Sequence, residues 1–133
     1  MKLILISILF LLVSCSFEKV QSKTFDVKDG QLNLTELLDG DWNKVCILTP
    51  YSTNDFAAKI LGFEYNVASQ SNIAMLDSIS LLVTIKNGAV LGEYEIKRTN
   101  VDFSSLGAGC YPRKSSKFKV IKDEKGWHEL KHT

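Results

Sequence analysis

Residues 79–97 read ISLLVTIKNGAVLGEYEIK, two apolar stretches joined by Asn87-Gly88. An Asn-Gly pair favours a two-residue type I′ turn, because both central residues of that turn need a positive φ. Such a turn sets the register of an antiparallel hairpin, in which Leu81 is predicted to lie opposite Tyr94. The same register puts apolar residues on one face and mixed residues on the other. The segment therefore predicts a half-solvated antiparallel hairpin.

The segments around this hairpin combine helical and extended patterns. Asn33 is a predicted helix N-cap, Gly40 and Gly62 are predicted helix ends, and Ser52 or Thr53 caps the second helix. The predicted elements are a helix at 33–40, an interior strand at 42–48, a helix at 53–61, and strands at 117–122 and 127–130. The predicted fold class is therefore α+β: an antiparallel β-sheet with two short helices packed on one face.

The N-terminus consists of one charge, an apolar run and a cysteine. Lys2 precedes an apolar stretch at 3–13, which is about half the roughly 20 residues needed to cross a bilayer. The sequence LVSC at 12–15 resembles the lipobox of bacterial lipoproteins. The resemblance implies that Cys15 receives a diacylglycerol thioether and becomes the acylated N-terminus after cleavage. An ordinary signal peptide with a coincidental cysteine, or an uncleaved anchor, would contain the same apolar run.

This resemblance implies a division of the chain into three parts. Residues 1–14 form the signal peptide, residues 15–30 form a lipidated, mostly polar tether, and residues 31–133 form a single α+β domain. Ser16 follows the cysteine where lipoproteins kept in the inner membrane usually carry Asp. We therefore expect an anchor in the outer membrane, through the lipid on Cys15, with the domain facing the periplasm.

Two further cysteines, Cys46 and Cys110, remain in the predicted mature chain. An exported compartment is oxidising, so these two thiols predict one disulfide. The bridge would close a loop of about 65 residues, for which the chain-entropy model gives about 4 kcal/mol of stabilisation. Two buried free thiols are the alternative. A metal site is disfavoured because no histidine lies near either cysteine in the sequence.

Charge is balanced overall but unevenly distributed. Beyond residue 14 the chain has 15 basic and 15 acidic side chains, which argues against a nucleic-acid partner. Residues 15–96 hold 6 basic and 11 acidic side chains, and residues 97–133 hold 9 and 4. Either these two parts pair within one fold, or a basic surface near the C-terminus meets a partner or phospholipid headgroups.

No catalytic constellation is recognisable in the sequence. His128 and His132 are the only histidines, and no third metal ligand lies near them. Ser104 and Ser105 have no adjacent base and no nucleophile-elbow pattern. We therefore expect a protein without catalytic activity, cofactor or metal.

A binding surface is predicted from the disulfide. Tyr51 follows a predicted strand end, and two interface-type residues follow Cys110, so the bridge should bring them close. Tyr and Arg are among the residues that contribute most to protein interfaces. The candidate partner-binding patch consists of Tyr51, Arg98, Tyr111 and Arg113. Alternatively, Tyr51 packs locally and both arginines are only solvated.

The pattern W-x-x-V-C at 42–46, P-Y at 50–51, L-G at 61–62 and the strand-NG-strand unit resembles small proteobacterial envelope lipoproteins of unassigned function. Together with the anchor, the tether and the missing catalytic residues, this suggests a lipid-anchored periplasmic binding or scaffold protein. Its partner would be an unidentified envelope protein. The alternative is a periplasmic inhibitor or immunity protein directed against a toxin or hydrolase.

Overall fold

The computed structural model describes residues 20–133, so the predictions for the signal peptide and for Cys15 lie outside the described residues. No helix in this range is long and apolar enough to cross a membrane. The strands of this range are β1 Gln21–Ser22, β2 Gln31–Asn33, β3 Lys44–Leu48, β4 Ile79–Lys86, β5 Ala89–Lys97, β6 Gly109–Pro112, β7 Lys117–Lys122 and β8 His128–His132. Its α-helices are α1 Leu34–Leu37, α2 Asn54–Leu61 and α3 Val67–Gln70, and short 3-10 helices span Ile73–Met75, Phe103–Leu106 and Arg113–Ser115.

The strands form two sheets rather than the single sheet predicted. The five-stranded sheet has the order β1-β5-β4-β3-β6, and the three-stranded sheet has the order β2-β7-β8. Every pair is antiparallel except β1 with β5. The α+β class is confirmed, with strand in excess of helix. The second sheet was missed because β2 has only three residues, with Leu32 lying opposite Phe118.

Both faces of the five-stranded sheet are covered. Cys46 and Leu48 point to one face and pack with α2 and α3. Val45 and Ile47 point to the other face and pack with α1 and the second sheet. The predicted half-solvated hairpin is therefore wrong, because β4 is buried along both of its faces.

The prediction of two helices on one face is also wrong. α1 follows β2 without a loop, and the Leu34 amide donates to the Ser116 carbonyl next to β7. α1 therefore lies with the second sheet, whereas α2 lies on the opposite face of the central sheet.

The predicted end of α1 at Gly40 is wrong, because the helix ends at Leu37 and Leu38 is already extended. The predicted ends of α2 are confirmed. The Thr53 side chain accepts from the Phe56 amide, and Gly62 ends the helix with a φ of 83°.

The hairpin of β4 and β5 contains a bulge that the turn did not predict. The two pairs next to the turn form as predicted, and then Leu91 is an extra residue that shifts later pairs by one. Leu82, rather than Leu81, therefore lies opposite Tyr94. The next residue is Gly92, where a Cβ atom would lie 2.9 Å from the Tyr94 hydroxyl. Glycine is required there because the phenol fills the space of a side chain.

Residues 15–30 were predicted as a tether that can become strand near its end, and its described part, residues 20–30, contains a strand and packs against the domain. Gln21–Ser22 pairs with β5, and Phe25 is buried in the core between the two sheets. The Asn100 side chain accepts from the Phe25 amide at 2.8 Å and donates to its carbonyl at 2.9 Å. The mostly polar sequence gave little sign of this packing, because within the segment it is the isolated apolar residues Val20, Phe25 and Val27 that face inward.

Candidate functional site

The predicted disulfide between Cys46 and Cys110 is present, and it joins neighbouring strands. The two residues form a registered pair of β3 and β6, with their Cα atoms 4.0 Å apart. The Cys46 side chain is fully buried on the face of the central sheet that α2 and α3 cover. On the same face Cys110 lies next to Ile60. The bridge therefore fixes the edge strand β6 and the residues on either side of it.

The four residues of the predicted patch do not come together. Because β3 and β6 are antiparallel, the residues after Cys110 lie opposite those before Cys46. Tyr111 thus lies opposite Val45, whereas Tyr51 follows the other end of β3, which is about 13 Å long. The structure separates the four residues into two pairs, Tyr51 with Arg98 and Tyr111 with Arg113. The disulfide alone does not set the direction of β6, so the sequence contained no signal for this separation.

Tyr111 and Arg113 make contacts that hold the fold. The Tyr111 ring packs edge-on against Phe118 at 5.2 Å, and its hydroxyl lies 3.3 Å from His132 Nε2. The Arg113 guanidinium lies 4.5 Å from the centre of the Trp42 ring and donates to the Trp42 carbonyl. Together these contacts connect β6 to the second sheet and to the start of β3.

Tyr51 is held outward by a tight turn. It follows Pro50 in the position of a turn that needs a positive φ, and its own φ is 64°. Its amide donates to the Ile73 carbonyl at 2.8 Å, and the Ser52 hydroxyl donates to the Thr49 carbonyl at 2.6 Å. The Tyr51 side chain is nevertheless 59% exposed. A bulky residue therefore occupies a place where glycine is usual, with its ring in solvent.

Two exposed apolar residues lie beside this turn. Leu76 accepts from the Tyr51 amide at 3.3 Å through its carbonyl, and its side chain is exposed. Met75 precedes it and is 82% exposed. Both follow Ile73, whose side chain is fully buried and anchors the segment. No element was predicted between Gly62 and the hairpin that begins at Ile79, so neither residue was expected to belong to a surface.

Arg98 fixes the loop next to Leu76. Its guanidinium donates to both Asp102 carboxylate oxygens, at 3.0 and 3.2 Å, and to the Asp77 carbonyl at 2.8 Å. Burial raises the pKa of Asp102, but hydrogen bonds from Arg98 and Ser104 outweigh it and hold that pKa below its usual value. The same hydrogen bond raises the pKa of Arg98. A charge interaction with Tyr51 makes a smaller contribution in the same direction.

A mainly apolar cavity of about 220 Å³ completes this end of the sheet. The Arg98 guanidinium lies 5.4 Å from the centre of the Trp127 ring, within cation–π range. Ile79 and the exposed Lys97 also line the cavity. Trp127 was predicted as part of the last hairpin and not as a site residue. We call the five residues Tyr51, Met75, Leu76, Arg98 and Trp127 the Tyr51 surface.

The composition of the Tyr51 surface suits protein recognition. Tyr, Trp, Met and Arg are the residues enriched at the centres of interfaces, where charged residues other than Arg are depleted. Asp102 neutralises the charge of Arg98. The planar guanidinium therefore gives the Tyr51 surface a flat, polarisable group rather than a net charge. Within residues 20–133 no group of three His, Cys, Asp or Glu side chains could hold a metal ion.

The surroundings of Glu93 also shift the pKa values of ionisable side chains. Burial is the main cause that raises the pKa of Glu93 on β5, and it also raises the pKa of Tyr65. A shallow cavity of about 290 Å³ runs along β5 past Glu93 and reaches Val20. Among the described residues, no histidine, cysteine or serine lines this cavity, and Tyr94 supplies the hydroxyl group on its walls.

Comparisons of the chain with protein-family models, with curated proteins and with solved structures found no match.

Proposed function

We propose that the chain is a lipid-anchored binding module of the bacterial cell envelope, without catalytic activity of its own. In this proposal Cys15 carries the lipid, Ser16 directs the protein to the outer membrane, and the domain faces the periplasm. The partner is an envelope protein that docks on the Tyr51 surface. The observation that carries the proposal is the exposed aromatic ring of Tyr51, held on a strained turn beside exposed Met75 and Leu76.

Strain supports a role for Tyr51 because folding alone does not need it. A left-handed conformation costs a non-glycine residue about 1–2 kcal/mol. A side chain that is mostly in solvent gains little packing energy to offset this cost. Gly at the same position would not incur the cost. Strained residues with exposed side chains cluster at binding sites, where the conformation is part of the function.

Rigidity supports the same role. The turn is held by backbone bonds to Ile73 and Leu76, and Ser52 closes it from within. Arg98 fixes the adjoining loop through Asp77. A side chain that is already held in place loses little conformational entropy when a partner covers it, which favours affinity.

The same turn favours a second candidate, an inhibitor or immunity protein against a periplasmic toxin or hydrolase. The specific observation is that one aromatic side chain projects from a turn preceded by Pro50 and closed by Ser52. A rigid projecting side chain suits insertion into the cleft of an enzyme, whereas a scaffold contact would use the wider surface with Met75 and Leu76. An immunity protein would be needed by the cell only when its toxin is present.

A position-specific crosslink in cells tests the proposal. A photo-crosslinking amino acid replaces Met75 in the full-length protein, and the adducts are identified by mass spectrometry. The matched control places the same crosslinker at Ala89, which is exposed next to the hairpin turn at the opposite end of β4. We expect one dominant envelope protein from position 75 and not from position 89.

The outcomes separate the candidates. A structural or assembly protein captured from position 75 supports the scaffold function, and a toxin or lytic enzyme supports the inhibitor. Loss of the adduct in a Tyr51→Ala background would assign the contact to this surface. Equal crosslinking from both positions, or none from position 75, would contradict a partner on the Tyr51 surface.

A further inference from the structure

The outer face of the second sheet carries three lysines close together. Side chains alternate along a strand, so the burial of Phe118 and Leu130 turns their neighbours outward. Lys119 on β7 lies directly opposite Lys131 on β8, and Lys117 lies two residues from Lys119 on the same face. All three lysines are exposed. We call Lys117, Lys119 and Lys131 the basic face.

The basic face is not neutralised by the fold. In residues 20–133 the ion pairs are Lys86 with Asp41 and Arg98 with Asp102, and neither involves the basic face. Like charges directly opposite each other in a sheet are destabilising. The Lys119–Lys131 pair therefore opposes folding slightly, and nothing within the second sheet explains its presence.

The remaining charges define where the positive field is strongest. Glu129, opposite Ile121, is the acidic residue on the outer face of β7 and β8. Beyond β2, Asp26, Asp29 and Glu36 line a cavity of about 400 Å³ that Lys117 also reaches. The basic face is therefore bordered by these carboxylates on its β2 side, and Lys131 on β8 lies one strand farther from them than Lys117 and Lys119.

We propose that the basic face docks on the anionic phospholipid headgroups of the membrane. A sheet face with three lysine side chains is broad and shallow, as a bilayer surface is, and lysines within a Debye length of an anionic bilayer are attracted to it. The geometry rests on the proposed lipid anchor. Because β1 begins at Gln21, only five residues lie between it and Cys15, and the six Cα–Cα steps reach about 20 Å at most.

This short reach makes the basic face relevant to orientation. A domain held within about 20 Å of the bilayer exposes one of its sides to the headgroups. With the basic face against the membrane, the layer formed by α2 and α3 lies on the far side of the central sheet. The lipid then supplies attachment and the lysines supply the orientation in which the domain meets other envelope proteins.

Vesicle binding by the unacylated mature chain tests this inference. The protein from residue 15 onward, carrying Cys15→Ser, is mixed with phosphatidylcholine vesicles with or without phosphatidylglycerol, and the bound fraction is measured by sedimentation. We expect binding that requires phosphatidylglycerol and weakens with salt. Replacing Lys117, Lys119 and Lys131 by Gln should reduce the partition coefficient on the order of a hundredfold, about fivefold for each lysine.

The matched control replaces Lys44, Lys59 and Lys97 by Gln, because these lysines lie outside the second sheet. It removes the same net charge and should lose about fivefold or less. Thermal unfolding verifies that the basic-face variant is folded, and relief of the Lys119–Lys131 repulsion should keep its midpoint at or above that of the parent.

Three outcomes would overturn the inference: equal losses in the two triple variants, equal binding to vesicles without phosphatidylglycerol, or retention on polyglutamate without vesicle binding. The last would assign the basic face to an acidic protein. Because the assay protein has no acyl group, its result is independent of whether Cys15 is lipidated in cells. A failed anchor and a failed basic face are thus separate results.

Discussion

Replacing Tyr51 by Gly should give a more stable protein than replacing it by Ala. With φ at 64°, a residue that carries a Cβ atom pays about 1–2 kcal/mol relative to glycine. Glycine loses roughly 0.5–1 kcal/mol through its greater freedom in the unfolded chain. Since Tyr51→Gly and Tyr51→Ala both remove the ring, its packing cancels in the comparison. We expect the Gly variant to be more stable than the Ala variant by about 1 kcal/mol.

Chemical and thermal unfolding with the disulfide intact would measure this difference. For a domain of this size, about 1 kcal/mol corresponds to roughly 3–5 °C in Tm. At an ordinary exposed position Ala would be the more stable variant, so the expected order is the reverse of the usual one. An Ala variant as stable as the Gly variant, or more so, would show that the turn at Tyr51 is not strained. Both variants should lose the crosslink to the partner.

Other perturbations give separate expected results. Replacing Cys46 and Cys110 by Ala should lower the free energy of unfolding by about 4 kcal/mol in denaturant titrations. In the parent protein, an alkylating reagent should label neither of these two cysteines under denaturing, non-reducing conditions. Arg98→Ala should destabilise by about 2–3 kcal/mol, because it leaves the buried Asp102 carboxylate without its cation. Since the pKa of Asp102 is lowered in the fold, its contribution is present above about pH 4 and is lost as the pH falls through the folded-state pKa; the Arg98→Ala variant should show a weaker loss in acid. Cys15→Ser should release the protein from carbonate-washed membranes, and retention in the pellet would contradict the lipid anchor.

Local sequence signals were sufficient where a residue's role depends on its immediate neighbours. Asn87-Gly88 makes the predicted turn, Thr53 caps α2, and Gly62 ends it. The disulfide was also predictable from the expectation of export, because the two cysteines beyond the lipobox-like segment then have one possible pairing. Each of these features involves either a few consecutive residues or a choice with a single answer.

The candidate site was only partly predictable. Tyr51 and Arg98 were recognised as interface-type residues, and they do lie at the same end of the central sheet. The bridge was taken to bring Tyr111 to them, but antiparallel pairing carries Tyr111 toward the other end of β3. Met75 and Trp127 were missed because they reach this surface from segments with no clear periodicity.

The sequence by itself therefore determined the α+β class, the turn of the central hairpin, the ends of α2 and the pairing of the two cysteines, since propensity and turn chemistry act over short distances. Only the tertiary structure decided that Leu32 pairs with Phe118 in a second sheet, that Phe25 is buried in the core, and that Leu91 forms a bulge. These features depend on which apolar surfaces remain uncovered once the central sheet forms. Burial of those surfaces is a property of the whole chain, and no window of neighbouring residues contains it.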